Sequence, residues 1–210
     1  DVIFAAYGFN ESFAGEGAIP DFKNRLSGFL RHLKSHAYNG ESGPQVILVS
    51  PTANENVLGV NGADLNNARI ESYVAAMSEV AGLEAIGFVD VFGETKKAMA
   101  SPESDLTFNG VHLLEEGYQV FSESLFSGTF NLSRVPSLNE TIRQVVVDKN
   151  QQFFYRYRPL NTFYYTGDRN KKYGYLDFLP AMRNFDIMVD NRDQRIWSLA
   201  KGSSVSASID

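Results

Sequence analysis

The sequence contains no cysteine and no long apolar run, and each absence narrows the possible functions. The lack of cysteine excludes disulfides, thiolate metal sites and cysteine nucleophiles, although it does not indicate a compartment. No apolar segment approaches the roughly 20 residues of a membrane-spanning helix, so no membrane span is predicted. The 210 residues, of which 43% are hydrophobic and 21% charged, are instead typical of a globular protein with a sizeable core.

Charge is divided unevenly along the chain. Residues 1–132 carry 7 Lys and Arg against 17 Asp and Glu, whereas residues 133–210 carry 12 against 8. This change of sign predicts a boundary near residues 133–136 and two domains, 1–132 and 133–210.

Residues 1–130 alternate between short apolar runs and amphipathic segments. Runs at 1–8, 45–51 and 86–91 predict three buried parallel strands. Apolar residues at three- and four-residue steps predict the helices between them and one after residue 112. This order indicates an α/β fold with right-handed crossovers. The first two helices are expected to end near Gly40 and at Gly82, a third covers 92–99, and the last turns Tyr118, Phe121 and Leu125 to the core.

Two polar motifs follow strands of this pattern. The first is Tyr7-Gly8-Phe9-Asn10-Glu11-Ser12, and the second is Thr107-Phe108-Asn109-Gly110-Val111-His112-Leu113, which precedes a helix. Together they resemble the third and fifth sequence blocks of the SGNH (GDSL) hydrolases, a family of serine esterases. The resemblance covers about residues 1–130 and implies a three-layer, flavodoxin-like parallel sheet. It also implies hydrolysis of a short acyl ester, such as an acetyl group on a carbohydrate, without a metal or organic cofactor.

The resemblance assigns roles to four residues. Asn10 matches the side-chain amide that donates to the oxyanion, and Gly8 permits the tight exit from the strand. Glu11, in the same motif, is expected at the substrate. His112 matches the general base that takes the proton of the serine and returns it to the leaving alcohol.

One departure from the family concerns the partner of the histidine. The family places an aspartate three residues before it, where this chain has Asn109. Asp105 is an alternative carboxylate in the same loop, so either residue is a candidate to orient His112. In serine proteases, exchanging the triad aspartate for asparagine lowers the rate by about 10⁴.

The second departure is the absence of a Gly-Asp-Ser block for the nucleophile. Ser12 lies close to Asn10 but lacks the sequence of a nucleophile elbow. We therefore expect this chain to be an inactive fragment of a larger bacterial protein, secreted or periplasmic, with further domains. The first strand should then leave one sheet edge unpaired.

Other polar residues have two readings. Asn54 and Glu55 follow the second strand, at the edge where α/β sheets bind ligands, but they equally fit a turn rich in helix-capping residues. His32 and His36 are one helical turn apart, yet no carboxylate or third histidine accompanies them, so we expect them to face solvent and predict no metal site.

The second segment is predicted to be mainly helical, with apolar patterns at 138–153 and 182–199. Between Phe153 and Phe178, ten of 26 residues are aromatic and several are basic. This mixture fits a small aromatic core or a surface that stacks sugars, while the acidic overall charge argues against nucleic acid. The alternative to an esterase is therefore a non-catalytic carbohydrate-binding or interaction module of a larger multidomain protein.

Overall fold

A computed structural model describes residues 1–101, 105–132, 137, 139–158 and 179–206. The chain divides into two compact units, Asp1–Val135 and Pro136–Asp210, called unit 1 and unit 2 below. The assignment of 1–132 and 133–210 as separate domains stays a prediction. Predictions for Leu138, for the aromatic stretch 159–178 and for residues 207–210 lie outside the described residues.

Unit 1 contains a parallel sheet with the strand order β1-β2-β3. The strands are β1 (Val2–Ala6), β2 (Gln45–Val49) and β3 (Gly87–Val89). The register pairs Ala6 with Val49 and Val49 with Val89, so all three strands end at the same edge of the sheet. Within the described residues β1 pairs only with β2, and its Val2 and Phe4 side chains are about half exposed.

Helices cover both faces of the sheet in unit 1. They are α1 (Phe9–Ser12), α2 (Ile19–Lys34), α3 (Ala63–Leu83), α4 (Phe92–Met99) and α5 (Glu115–Phe130). Leu48 of β2 packs with α2 and α3 on one face. On the other face Val49 and Val89 pack with Phe121 and Leu125 of α5. Helices, sheet and helix form three layers, which confirms the predicted α/β class.

Several helix ends differ from the prediction. Helix α2 stops at Lys34 rather than near Gly40, because the N–H groups of Ser35 and His36 close a tight final turn. Helix α3 continues through Gly82, since Glu84 N–H still donates to Val80 O (2.9 Å). Glycine lowers helix stability by about 1 kcal/mol, which the packing of the other residues of α3 overcomes.

The predicted inward face of α5 is wrong at one position. Phe121 and Leu125 contact the core, but Tyr118 is 61% exposed. Gly117, the preceding residue, occupies the buried position instead. Successive residues on a helix point about 100° apart, so burying Gly117 turns Tyr118 toward solvent.

A buried carboxylate joins the end of α3 to α2. Arg31 Nε lies 2.9 and 3.0 Å from the two carboxylate oxygens of Glu84, Ser27 Oγ donates to the same group, and Lys34 Nζ donates to the Glu84 carbonyl (2.6 Å). The hydrogen bond from Arg31, followed by that from Ser27, holds the pKa of Glu84 below its ordinary value of 4.5.

This lowered pKa predicts a pH dependence of stability. The ionised form of Glu84 is favoured in the folded state, so its contribution is complete above about pH 4.5 and is lost as the pH falls further. We expect the free energy of unfolding to fall less steeply between about pH 5 and pH 3 in Glu84→Gln than in the wild type. Arg31→Gln should flatten the same profile, because the carboxyl loses its main partner. The free energy of unfolding is measured by urea titration at each pH. If it depends on pH as steeply in both variants as in the wild type, this account is wrong.

Unit 2 is described as two packed helices, α6 (Glu140–Tyr157) and α7 (Leu179–Ala200). Asn139 caps α6 by accepting from Ile142 N–H (3.2 Å). Between the helices the buried Arg192 lies with Nε 2.6 Å from Asp148 Oδ2. The predicted helices are therefore present, but Phe153 is about half exposed rather than part of a core.

Candidate active site

A cleft of about 400 Å³ opens at the end of β1 in unit 1. Asn10 lies in its wall and is exposed, and its side-chain amide makes no hydrogen bond to the described residues. Val111, the neighbour of His112, lies in the same wall. The fold therefore brings the first motif and the histidine loop to one cleft. The remaining wall is largely apolar and aromatic, with Ala6, Tyr7, Phe9, Val49, Pro51 and Phe121.

Gly8 and Glu11 shape the backbone from which Asn10 projects. Gly8 has φ +99°, and a Cβ at this position would lie 2.7 Å from Met77 Sδ. Its N–H donates to Glu11 Oε2 (2.9 Å), so the carboxylate caps the short helix α1. Glu11 lines the cleft but already serves as this backbone acceptor.

His112 is exposed, and the hydrogen bonds of its imidazole within the described residues go to Asn109. The Nδ1 atom lies 3.0 Å from Asn109 Nδ2 and 3.1 Å from Asn109 Oδ1. The imidazole also stacks on Phe108, with the ring centroids 5.5 Å apart and the planes 21° from parallel. Asp105 is exposed and makes no hydrogen bond to the described residues. Of the two candidates to orient His112, Asn109 is the one whose side chain contacts the imidazole.

Glu55 holds the start of this loop from the other side of the sheet edge. Its buried carboxylate accepts from Leu106 N–H (3.1 Å), from Thr107 N–H (2.8 Å) and from Thr107 Oγ1 (2.6 Å). Its own N–H donates to Gly110 O (2.9 Å). Because a carboxylate that accepts several N–H and O–H groups binds them strongly, Glu55 fixes the loop that carries His112.

Asn54 and Glu55 together hold the His112 loop, and this set of contacts is called the clamp below. Asn54 Nδ2 donates to Gly110 O (3.0 Å), while the Asn54 backbone exchanges two hydrogen bonds with the Asn67 side chain (2.7 and 2.9 Å). Gly110 has φ +86°, and a Cβ there would lie 2.8 Å from the Glu55 carbonyl oxygen. The close approach of the two loops therefore requires glycine at position 110.

Asn54 and Glu55 line a second cavity of about 510 Å³, between α3 and α4, rather than the cleft of Asn10. Their described hydrogen bonds to the histidine loop go to residues 106, 107 and 110. In this structure Asn10 and Val111, the neighbour of His112, line the first cleft, and the pair 54–55 holds the loop that contains Val111.

Ser12 and Ser50 lie near the cleft, and the hydroxyl of each makes hydrogen bonds to the backbone. Ser12 is buried and its Oγ donates to Phe9 O (2.7 Å). Ser50 lines the cleft, but its Oγ accepts from Val91 N–H (2.9 Å) and Phe92 N–H (3.0 Å) and lies 3.2 Å from Asp90 Oδ1. Neither hydroxyl makes a described hydrogen bond to a histidine.

Thr107 and Asn67 were not recognised from the sequence. Both are buried polar residues, and both bind the backbone or side chains of the 54–55 pair. Asn67 carries the one available signal, since it lies one turn before the buried Ile70 of α3, where a polar side chain needs a partner. Thr107 could not be distinguished from an ordinary loop residue.

No group of three or more His, Cys, Asp or Glu side chains in the described part of the chain is arranged to hold a metal ion. No helix within the described ranges is long and apolar enough to cross a bilayer. His32 and His36 are both exposed, as predicted.

Neither a protein-family model nor a curated protein matches the chain. Solved structures do match. A tryptophan-to-isoleucine variant of Axe2, an acetyl xylan esterase from Geobacillus stearothermophilus, is 15% identical with a TM-score of 0.50, over 65% of this chain and 62% of that one. LAE5, an alpha/beta hydrolase enzyme from the metagenome of Lake Arreo, is 18% identical with a TM-score of 0.47, over 64% and 62%.

The chain shares a three-layer α/β fold with the acetyl xylan esterase variant. At 15% identity the similarity to the Axe2 variant concerns the fold alone. The chain spans about 62% of the length of both solved proteins. Asn10 and the His112 loop lie at the carboxyl edge of the parallel sheet, which is the edge where open α/β sheets bind ligands.

Proposed function

We propose that unit 1 is part of a serine esterase that hydrolyses short acyl esters, with O-acetylated carbohydrate as the substrate class. The observation that carries the proposal is the cleft that joins the Asn10 amide to the loop of His112. The resemblance of the two motifs to the SGNH hydrolases gives these residues their roles. Asn10 donates to the carbonyl oxygen of the bound ester and to the oxyanion that forms from it. His112 acts on the proton of the nucleophile and of the leaving alcohol.

We propose that the nucleophilic serine is not in this chain but in another part of a longer protein. Ser12 and Ser50 support this, because both hydroxyls are buried and engaged in backbone contacts. The exposed edge of β1 supports it as well, since Val2 and Phe4 offer an apolar surface that a further strand and helix would cover. On this proposal the chain alone binds the ester but does not cleave it.

Ester binding can be tested by titrating the ¹⁵N-labelled chain with an O-acetylated xylo-oligosaccharide and with the same sugar after deacetylation. We expect the acetylated form to shift the Asn10 side-chain amide and His112, and the deacetylated form to shift them much less. Asn66, a half-buried asparagine of α3 outside the cleft lining, is the internal control and should not respond. Equal responses to both sugars would rule out recognition of the acyl group.

Labelling with a fluorophosphonate tests the position of the nucleophile. Such probes modify a serine that is activated by a base and an oxyanion hole. We expect mass spectrometry to show no adduct in the wild-type chain that depends on His112, so the wild type and His112→Ala should give the same result. A His112-dependent adduct on any serine would show that the chain holds a complete site and would refute the external nucleophile.

A binding module without catalysis is the second candidate, and exposed aromatic side chains of unit 2 favour it. Phe153 and Tyr157 are more than half exposed, with ring centroids 4.9 Å apart, and Arg158 lies over Phe154 at 5.3 Å. Sugar rings stack on surfaces of this kind. Carbohydrate retention that survives His112→Ala but is lost in Phe153→Ala with Tyr157→Ala would favour this module over the esterase.

A further inference from the structure

The side-chain amide of Asn109 lies against Nδ1 of His112 with both of its polar atoms. Asn109 Nδ2 is 3.0 Å from Nδ1 and Oδ1 is 3.1 Å from it. The two contacts require opposite protonation states of Nδ1. If Oδ1 is the partner, Nδ1 carries the proton, and if Nδ2 is the partner, Nδ1 carries a lone pair. The neutral imidazole has one proton, so this contact selects its tautomer.

The backbone of the loop fixes which way the amide points. Oδ1 accepts from the N–H of His112 (2.9 Å) and from the N–H of Val111 (3.2 Å). A reversed amide would place an NH₂ group against two N–H donors, leaving all of them without an acceptor. The orientation therefore follows from the hydrogen-bond network.

This orientation leaves unequal partners for the imidazole. Oδ1 has two lone pairs, and the two backbone N–H groups already use them. Nδ2 has two protons, and within the described residues its hydrogen-bond contact is to His112. The better bond runs from Nδ2 to an unprotonated Nδ1, which puts the imidazole proton on Nε2.

We propose that Asn109 holds neutral His112 in the tautomer that carries its proton on Nε2. In this form Nε2 donates hydrogen bonds and has no lone pair to accept a serine proton. Asn109 is thus a positioning residue that lowers the population of the other tautomer, the one in which Nε2 can act as the proposed base, so it slows proton transfer by His112 without abolishing it. The catalytic consequence rests on the proposed function, whereas the tautomer is a property of this chain alone.

An aspartate at position 109 should reverse the tautomer. One carboxylate oxygen would accept the N–H groups of Val111 and His112, as Oδ1 does now, and the other would accept from Nδ1–H. Nε2 would then expose its lone pair. In serine proteases the opposite exchange, from aspartate to asparagine, lowers kcat by about 10⁴ because the tautomer is wrong.

The test is a long-range ¹H–¹⁵N correlation spectrum of the full chain at about pH 8, where an ordinary histidine is neutral. The sequence has three histidines, so His112→Ala and His36→Ala assign the signals. His36 is a matched reference, because its Nδ1 lies 2.8 Å from the His32 carbonyl oxygen, which can only accept. His36 should therefore show the proton on Nδ1, and His112 should show it on Nε2.

Two variants separate the effect of Asn109 from the intrinsic preference of imidazole. Asn109→Ala measures that preference in the same loop, and we expect the wild type to favour Nε2–H by several-fold more. Asn109→Asp should move the tautomer ratio by about tenfold or more toward Nδ1–H. A wild-type ratio equal to that of Asn109→Ala, or a wild-type proton on Nδ1, would overturn the proposal. Since no turnover is measured, neither result depends on ester hydrolysis.

Discussion

Glu55→Ala is expected to free the start of the His112 loop and to lower the free energy of unfolding of unit 1 by about 3 kcal/mol. The substitution leaves Leu106 N–H, Thr107 N–H and the Thr107 hydroxyl without their acceptor. Buried donors that lose a partner cost about 1–3 kcal/mol each, and water entering the space recovers part of this. Urea unfolding measures the loss, and amide exchange at Leu106 and Thr107 locates it.

Two variants sharpen the Glu55 experiment. Glu55→Gln keeps one acceptor oxygen in place and should cost clearly less than Glu55→Ala. Glu71→Ala is the matched control, because Glu71 lines the same 510 Å³ cavity but is exposed and paired with Lys96. Exposed pairs contribute at most about 1 kcal/mol, so little change is expected. If Leu106 and Thr107 stay protected in Glu55→Ala, the carboxylate does not hold the loop.

Gly117→Ala should destabilise unit 1 by about 3 kcal/mol, which is a large effect for one added methyl group. The new Cβ would lie 2.2 Å from Leu106 O and 3.0 Å from Leu113 Cδ2. Leu106 O also accepts from Leu114 N–H (2.8 Å), so the clash falls on a carbonyl that ties the loop to α5. The helix must move away from the loop, and the His112 resonances should shift with it.

Gly28→Ala provides a control of opposite sign. Gly28 lies inside α2, and a Cβ there would have no neighbour within 4 Å. Alanine in an open helical position raises stability by about 0.5–1 kcal/mol through its better helix propensity. Both substitutions exchange a helical glycine for alanine. If both change the melting temperature relative to the wild type in the same direction, contact with Leu106 is not the cause.

The sequence predicted the sheet well because its strands are short, continuous apolar runs. Gln45–Val49 is an example: it is bounded by glycine and proline and is covered on both faces. The helix ends were less accurate, because Gly40 and Gly82 suggest stops that local hydrogen bonding and tertiary packing override. Tyr118 was misplaced for a similar reason, since the periodicity could not tell which of two adjacent residues faces the core.

The candidate site was predictable where a motif names a residue type, as for Asn10 and His112. The supporting contacts were not, because they join segments far apart in the chain. Thr107 binds a carboxylate 52 residues earlier, and Asn54 binds a carbonyl 56 residues later. The tautomer of His112 also required coordinates, since it depends on two backbone N–H groups that fix one amide.

These long separations also bear on the order in which unit 1 can fold. The clamp between Glu55 and Thr107 closes a loop of about fifty residues that contains α3, β3 and α4. Closing such a loop costs entropy before any of its contacts form, and the cost is lower once the intervening elements have packed. The His112 loop therefore gains its fixed geometry after the sheet, as a late product of folding rather than a nucleus for it.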